Sequence, residues 1–318
     1  FFKLEIAILL TDQRMPDQCG TDLLSYAREN HPHIIRLLTT AYTDLEDAIQ
    51  YNEEDLFDGI DNDGNGYVDD FRGWNFYDGN NDPMETSWSH GTHVSGLAAA
   101  TTNNKIGVVG TGFKCKVLPV KGGHQLQMTH AYEGVIYAVD NGADVVNCSW
   151  GGSTPSQFGY DVIKYATYNK DALVLGAAGN ANRQEKFFPA SYDEVLSVGA
   201  TDSLYHKADF SNYNYYIDLV APGRYILSTK NNTYDLDNGT SMACPIVAGA
   251  AGIVRHKFPE LSAMQVLAHL VKTADDSIYS IPFFQQYQDK LGSGLLDMRA
   301  SQTTHLGHSE MLSYLIIR

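Results

Sequence analysis

Ala172-Leu173-Val174-Leu175-Gly176-Ala177-Ala178-Gly179-Asn180 is the stretch on which the fold turns. Its first four residues are apolar without alternation, the pattern of a strand covered on both faces. Asp144 to Cys148 and Val195 to Val198 repeat that pattern on either side, and Val117 to Val120 adds a shorter run upstream. Thr129 to Asp140 predicts a helix stopped at Asn141-Gly142. Ser262-Ala263-Met264-Gln265 is a capping box opening another helix through Val271. Strands alternating with helices predict an α/β fold: a doubly wound, mostly parallel sheet with helices on both faces. Ligands bind such sheets at the carboxyl ends of the strands. Asn180 stands at one of these ends.

The chain has 318 residues, 43% hydrophobic and 19% charged. That composition supports a sizeable core and excludes a disordered tail protein or a coiled coil. The formal charge of −16 repels phosphate backbones and argues against nucleic-acid binding, leaving cations as the natural charged partners. Cys19, Cys115, Cys148 and Cys244 form no CxxC pair and are too few for a disulfide scaffold. They read as small apolar residues. No apolar run approaches the roughly 18 residues of a membrane span.

Residues 1–50 read as different material. Ile6 to Leu10 is a continuous apolar run, Thr21 can cap a helix burying Leu23, Leu24 and Ala27, and Ile34 to Leu38 is a second short strand. Lys3 and Glu5, with no small-residue cleavage site, make the N-terminus a buried strand rather than an export signal. From Asn52 to Pro83 the chain is dense in Asp, Asn and Gly, the composition of a long ordered loop or metal site.

Three segments carry chemistry: Ser89-His90-Gly91-Thr92-His93-Val94-Ser95-Gly96, then Gly176-Ala177-Ala178-Gly179-Asn180, then Asn238-Gly239-Thr240-Ser241-Met242-Ala243-Cys244-Pro245 before the apolar run Val247 to Val254. A Ser at a helix N-terminus sits where backbone N–H groups and the helix dipole favour negative charge. Such a hydroxyl needs a general base, for which His90 is the candidate, and an Asn at a strand end can donate to an oxyanion. Any one motif alone reads as an ordinary cap or structural His. In this order, over about residues 52–300, they resemble the subtilisin-like serine proteases (subtilases). The resemblance implies Ser241 as nucleophile, His90 as general base and Asn180 as oxyanion donor, with polypeptides as substrates. His93 reads as a packed neighbour of the helix. Ser149, Trp150 and Gly151 resemble the family's substrate-binding strand, which would pair with an extended peptide. Ala221-Pro222-Gly223 resembles the turn before the nucleophile segment, and Ile246 departs from the His that many relatives carry after the Pro. The resemblance also implies a secreted protein, and a monomer is the default.

Asp61-Asn62-Asp63-Gly64-Asn65-Gly66-Tyr67-Val68-Asp69-Asp70 places oxygens at alternate positions with Gly at the sixth, the first half of an EF-hand-like loop. Arg72 stands where the bidentate Glu would fall. Asp61, Asp63, Asn65, Asp69 and the Tyr67 carbonyl are the expected Ca2+ ligands, with a solvated acidic turn as the alternative.

One family feature is missing. The triad acid that orients the His, in subtilases an early Asp-Thr-Gly after an apolar strand, has no match. Instead Ile8-Leu9-Leu10-Thr11-Asp12-Gln13-Arg14-Met15-Pro16 and Leu37-Leu38-Thr39-Thr40-Ala41-Tyr42 resemble strands of a response-regulator receiver. The expected organisation is therefore a receiver-like fragment at 1–50, a catalytic domain at 51–301 and a tail at 302–318. Asp12 ends an apolar strand and is the candidate surrogate acid, ahead of Asp44 and Asp47. Without an acid, the chain would be an impaired pseudoprotease or peptide-binding module. A receiver fragment is the third reading.

Overall fold

The computed structural model describes residues 48–311 except 85–87, 126, 232, 281, 308 and 309. In the N-terminal region it describes residue 45 and the backbone of residues 8–12, 14–15, 18–19 and 35–39. The predicted helix after Thr21, and Asp44 and Asp47, lie outside the described residues. So does the side chain of Cys19.

The centre is a four-stranded parallel sheet of β7 (Val145–Cys148), β8 (Leu173–Ala177), β9 (Val195–Thr201) and β10 (Leu219–Pro222). Their order across the sheet is β10-β9-β8-β7. Every residue of β8 and β9 is buried, Ser197 and Thr201 of β9 among them. The two sheet faces are covered by different helices. Leu173, Leu175 and Leu196 pack against α4 (Thr240–Lys257) and α5 (Ala263–Lys272) through Val247, Ala251 and Leu267. Val174 and Val195 pack on the opposite face against α2 (Ala131–Asp140) and α3 (Gln157–Lys164) through Val135, Val139 and Ile163. Each fully buried aliphatic side chain contributes about 1.5–3 kcal/mol. The doubly wound expectation holds, and so does the capping box: Ser262 Oγ accepts from Gln265 N, and Gln265 Oε1 accepts from Ser262 N at 2.8 Å.

The remaining elements frame this layer. Helix α1 (His90–Ala99) packs Val94 and Leu97 against Met242 of α4. A hairpin, β11 (Ile226–Lys230) with β12 (Thr233–Asp237), lies over α1. A short parallel pair joins β5 (Trp74–Asn75) to β6 (Val120–Lys121). Helix α6 (Met298–Thr303) follows, and Met311, within the expected tail, packs into the main core. At the N-terminus β1 (Ile8–Asp12) pairs in parallel with β4 (Ile35–Thr39), in a two-stranded sheet separate from the central one. Between them β2 (Arg14–Met15) and β3 (Gln18–Cys19) form an antiparallel pair. Among the described residues no helix is long and apolar enough to cross a membrane.

The apolar run Val247 to Val254 belongs to the helix that carries Ser241 at its start: α4 begins at Thr240 and runs 18 residues through Pro245. Proline lacks the N–H that would bond the carbonyl four residues back, that of Ser241. Ser149 Oγ takes that carbonyl instead, at 2.9 Å, so the helix continues without an orphaned acceptor.

Candidate active site

Ser241 is the second residue of α4. The Thr240 N–H is bound by Asn180 Oδ1 at 2.8 Å and the Met242 N–H by the Gly239 carbonyl at 3.1 Å. The Ser241 N–H is thereby left as the first-turn donor beside its own hydroxyl. Asn180 follows β8 through Gly179, whose φ of +98° suits glycine; a Cβ there would stand 2.5 Å from Asn212 Nδ2. Its Oδ1 accepts from both Thr240 N and Thr240 Oγ1. This fixes the amide so that Nδ2 lies on the Gly239 side, 3.3 Å from where a Gly239 Cβ would be. Gly223, after Pro222, accepts from the Gly239 N–H at 2.8 Å and anchors the turn before the nucleophile segment.

His90 opens α1 and lines the same cavity as Asn180, Ser241 and Asp237. Burial pushes its imidazole below the ordinary range, and the Asp237 carboxylate pulls in the opposite direction. The Ser241 hydroxyl donates to the Ser149 carbonyl at 3.1 Å, so it must turn to meet His90. Such looseness is common without substrate. His93, 2% exposed, is a packing residue as expected: Nε2 faces the carbonyls of Ile226 and Asp235, each at 3.1 Å, and ties α1 to the hairpin. Ile246, the departure from the family pattern, packs against Val94, Leu97 and Met242.

Ser149, Trp150 and Gly151 continue from β7 along the cavity wall beside Ser241. Trp150 packs edge-on to Tyr132, ring centroids 5.3 Å apart. Gly151 is required by close approach, since a Cβ would meet Phe187 and the Phe188 carbonyl at 2.5 Å. Ser149 ties this strip to the nucleophile in both directions. Ser149→Ala leaves the Ser241 carbonyl without its donor and is expected to cost about 1–3 kcal/mol; urea unfolding that matches the parent would contradict this. Cys148 and Cys244 are buried free thiols, that of Cys148 pushed up to about 12, consistent with packing roles.

The acidic loop departs from its expected ligand pattern. Asp69 has φ of +55°, and Oδ1 accepts from the Asp58 and Gly59 N–H groups; it braces the loop. Asp61 accepts from the Asn65 and Gly66 N–H groups, and Asn65 Oδ1 from the Tyr67 N–H. The residue that faces Asp63 is Asp70, fully buried: the two carboxylates share the amides of Asn52 and Asn65, and Tyr137 Oη donates to Asp70 at 2.7 Å. Asp55, 2% exposed, accepts from the Asn62 and Asp70 N–H groups. Every donor named here is neutral. Among the described residues no three acidic, His or Cys side chains converge as a ready-made metal set. Yet buried carboxylates without a cationic partner are the chemistry that a hard cation satisfies.

Asp12 closes β1, and its side chain lies outside the described residues. Asp237 joins the site without a sequence signal. No motif marks it; the β11–β12 hairpin brings it to His90.

The subtilase family model matches residues 44–298. Thermitase of Thermoactinomyces vulgaris is 38% identical over 207 residues, 64% of this chain and 73% of that protein. A thermophilic serine proteinase of Bacillus sp. (strain AK1) is 41% identical over 187 residues, 58% of this chain. The halolysin-like extracellular serine protease Nep of Natrialba magadii is 35% identical over 266 residues, 82% of this chain. The chain spans about half the length of these last two, 46% and 47%. Among solved structures, a protease from Pseudoalteromonas arctica PAMC 21717 superposes with a TM-score of 0.62 at 29% identity, covering 69% of this chain and 71% of that one. The receiver resemblance over residues 1–50 gains no support, since the family match begins at residue 44. Matched from residue 44 to residue 298, with its sheet, helices and Gly-Thr-Ser turn in place, the chain belongs to the subtilase family.

Proposed function

We propose that the chain is a serine endopeptidase. Ser241 Oγ attacks the peptide carbonyl and His90 takes its proton, then returns it to the leaving amine. The oxyanion receives hydrogen bonds from the Ser241 N–H and Asn180 Nδ2. The acyl-enzyme is released by water activated at His90. The observation that carries the reading is the convergence of His90, Asn180 and Ser241 on one cavity, with Ser241 in the first turn of an 18-residue helix. The substrate is an extended polypeptide laid against Ser149–Gly151. Hydrolysis of a fluorogenic peptide by the parent chain, absent in Ser241→Ala, is the test; equal rates in both would remove the proposal.

Asn180→Ala deletes one oxyanion donor and is expected to lower kcat by about 10²–10³, the loss seen for the corresponding donor of subtilisin, with KM little changed. A kcat within threefold of the parent would remove Asn180 from the oxyanion site.

A structural Ca2+ belongs to the same proposal. Asp63 and Asp70, with Asp61, Asn65 and the Tyr67 carbonyl nearby, would hold it once the Asn52 and Asn65 amides turn away; its contribution is charge neutralisation in the loop. Ca2+ at about 100 times its Kd adds about 2.7 kcal/mol, or roughly 5–10 °C in Tm. An unchanged Tm between Ca2+ and chelator would rule the ion out. Action outside the cell, as a monomer, completes the proposal, in line with the extracellular relative Nep.

A further inference from the structure

The cavity behind His90 holds about 2250 Å3, far beyond the roughly 300–1,000 Å3 of small-molecule sites. Extended chain forms two of its walls. On one side is β7. The Leu173 N–H donates to the Asp144 carbonyl, so residues 144, 146 and 148 bond to β8. By alternation, Val145 and Asn147 turn their backbone groups into the cavity. On the other side, Val117 exchanges hydrogen bonds with Ala48 and Gln50, and the Lys121 carbonyl accepts from Phe76. The same alternation turns Leu118 and Val120 inward. All four residues line the cavity, and the buried Asn147 Oδ1 there has no hydrogen-bond partner among the described residues.

The two walls belong to one strand–helix–strand unit, β6–α2–β7, the connection that joins parallel strands. Helix α2 covers both walls: Gly134 lies against Val120, and Val135 packs with Val146. Two sheet edges whose ladder groups face each other under a common helix leave room for one strand hydrogen-bonded on both sides. Run parallel to β7, that strand ends where β7 ends, beside Ser149, Ser241 and His90.

We infer that this cavity is the seat of one further parallel strand, that its occupant is the chain's own Ile8–Asp12, and that the insertion delivers Asp12 to His90. The inference rests on the protease reading of His90 and Ser241. Ile8–Asp12 has five residues, as β8 does, and its unbroken apolar start suits a strand covered on both faces. Among the described residues it pairs with β4 alone, in a two-stranded sheet, an arrangement marginal by itself. The 32 residues between Asp12 and Leu45 reach on the order of 100 Å when extended, so the segment can exchange β4 for the slot. Asp12 is then a positioning residue: it accepts from the His90 ring N–H, holds the tautomer and stabilises the imidazolium.

The test uses the full chain and two readouts, amide hydrogen exchange and hydrolysis of a fluorogenic peptide. In the parent, the Leu118, Val120, Val145 and Asn147 amides are protected. Leu10→Lys, which places a charge on the inserting strand, speeds their exchange about 100-fold while Leu173–Ala177 of β8 stays protected as an internal control of folding. Asp12→Asn keeps the protection but lowers kcat about 10⁴-fold with KM nearly unchanged. Equal exchange at the four amides in parent and Leu10→Lys overturns the inference, as does an Asp12→Asn enzyme with parental kcat. Activity regained on mixing Asp12→Asn with Ser241→Ala would show a strand donated by a second copy and overturn the same-chain occupant. Should the parent hydrolyse no faster than Ser241→Ala, the protease reading fails by itself, and the exchange data still decide the slot.

Discussion

Ser241→Ala lowers kcat by about 10⁶, the magnitude found when subtilisin loses its serine, and leaves the fold intact. The effect is large because the alanine cannot form the acyl-enzyme; only oxyanion donors and binding remain. The fold survives because the Ser241 backbone carries the structural bonds. Its carbonyl accepts from Ser149 Oγ at 2.9 Å and is untouched by the change, while its side chain makes one hydrogen bond, to the Ser149 carbonyl. Unfolding midpoints of parent and variant should therefore agree closely. Residual turnover near the parental level would mean that another group performs the attack.

His90→Ala lowers kcat by a similar factor, about 10⁶, and the double variant Ser241→Ala/His90→Ala falls no further than either single change. Residues acting as a unit behave in this way, since removing the base already disables the nucleophile. Additive losses would show that His90 and Ser241 work independently. The base also sets the pH dependence. Burial holds His90 below the ordinary imidazole value of 6.5, and catalysis needs it neutral. With the ring as the structure places it, the acid limb of kcat/KM, which reports the free enzyme, lies below pH 6.5; an Asp12 carboxylate seated on His90 moves it up. The Asp237 carboxylate favours the protonated ring, so Asp237→Asn moves that limb further down. A limb above pH 7 in Asp12→Asn, which lacks that carboxylate, would contradict the burial of His90.

Features tied to chain periodicity and to glycine were legible in the sequence. The apolar stretches read at Ala172 to Leu175 and Val195 to Val198 fall in strands buried along their whole length, Leu173–Ala177 and Val195–Thr201, because a strand covered on both faces accommodates such a stretch. Gly179 and Gly223 mark the turns that aim Asn180 and Ser241, and glycine is required there by close contacts. Features made by tertiary packing were not legible. Asp70 rather than Asp69 faces Asp63 because the left-handed backbone at Asp69 turns its carboxylate onto the Asp58 and Gly59 amides. Helix α4 runs through Pro245 because Ser149, 92 residues away, supplies the missing donor. Asp237 reaches the His90 cavity through a hairpin register that no local pattern announces.

Activation of the Ser241 hydroxyl by His90 can be read from covalent labelling with a fluorophosphonate. Ser241 Oγ displaces fluoride at phosphorus while His90 takes the hydroxyl proton, and intact-mass measurement counts the adducts. One adduct per chain is expected, mapped by peptide mass to Ser241 and formed far more slowly in His90→Ala. A folded chain that takes no label at Ser241, or takes it equally fast without His90, would contradict it.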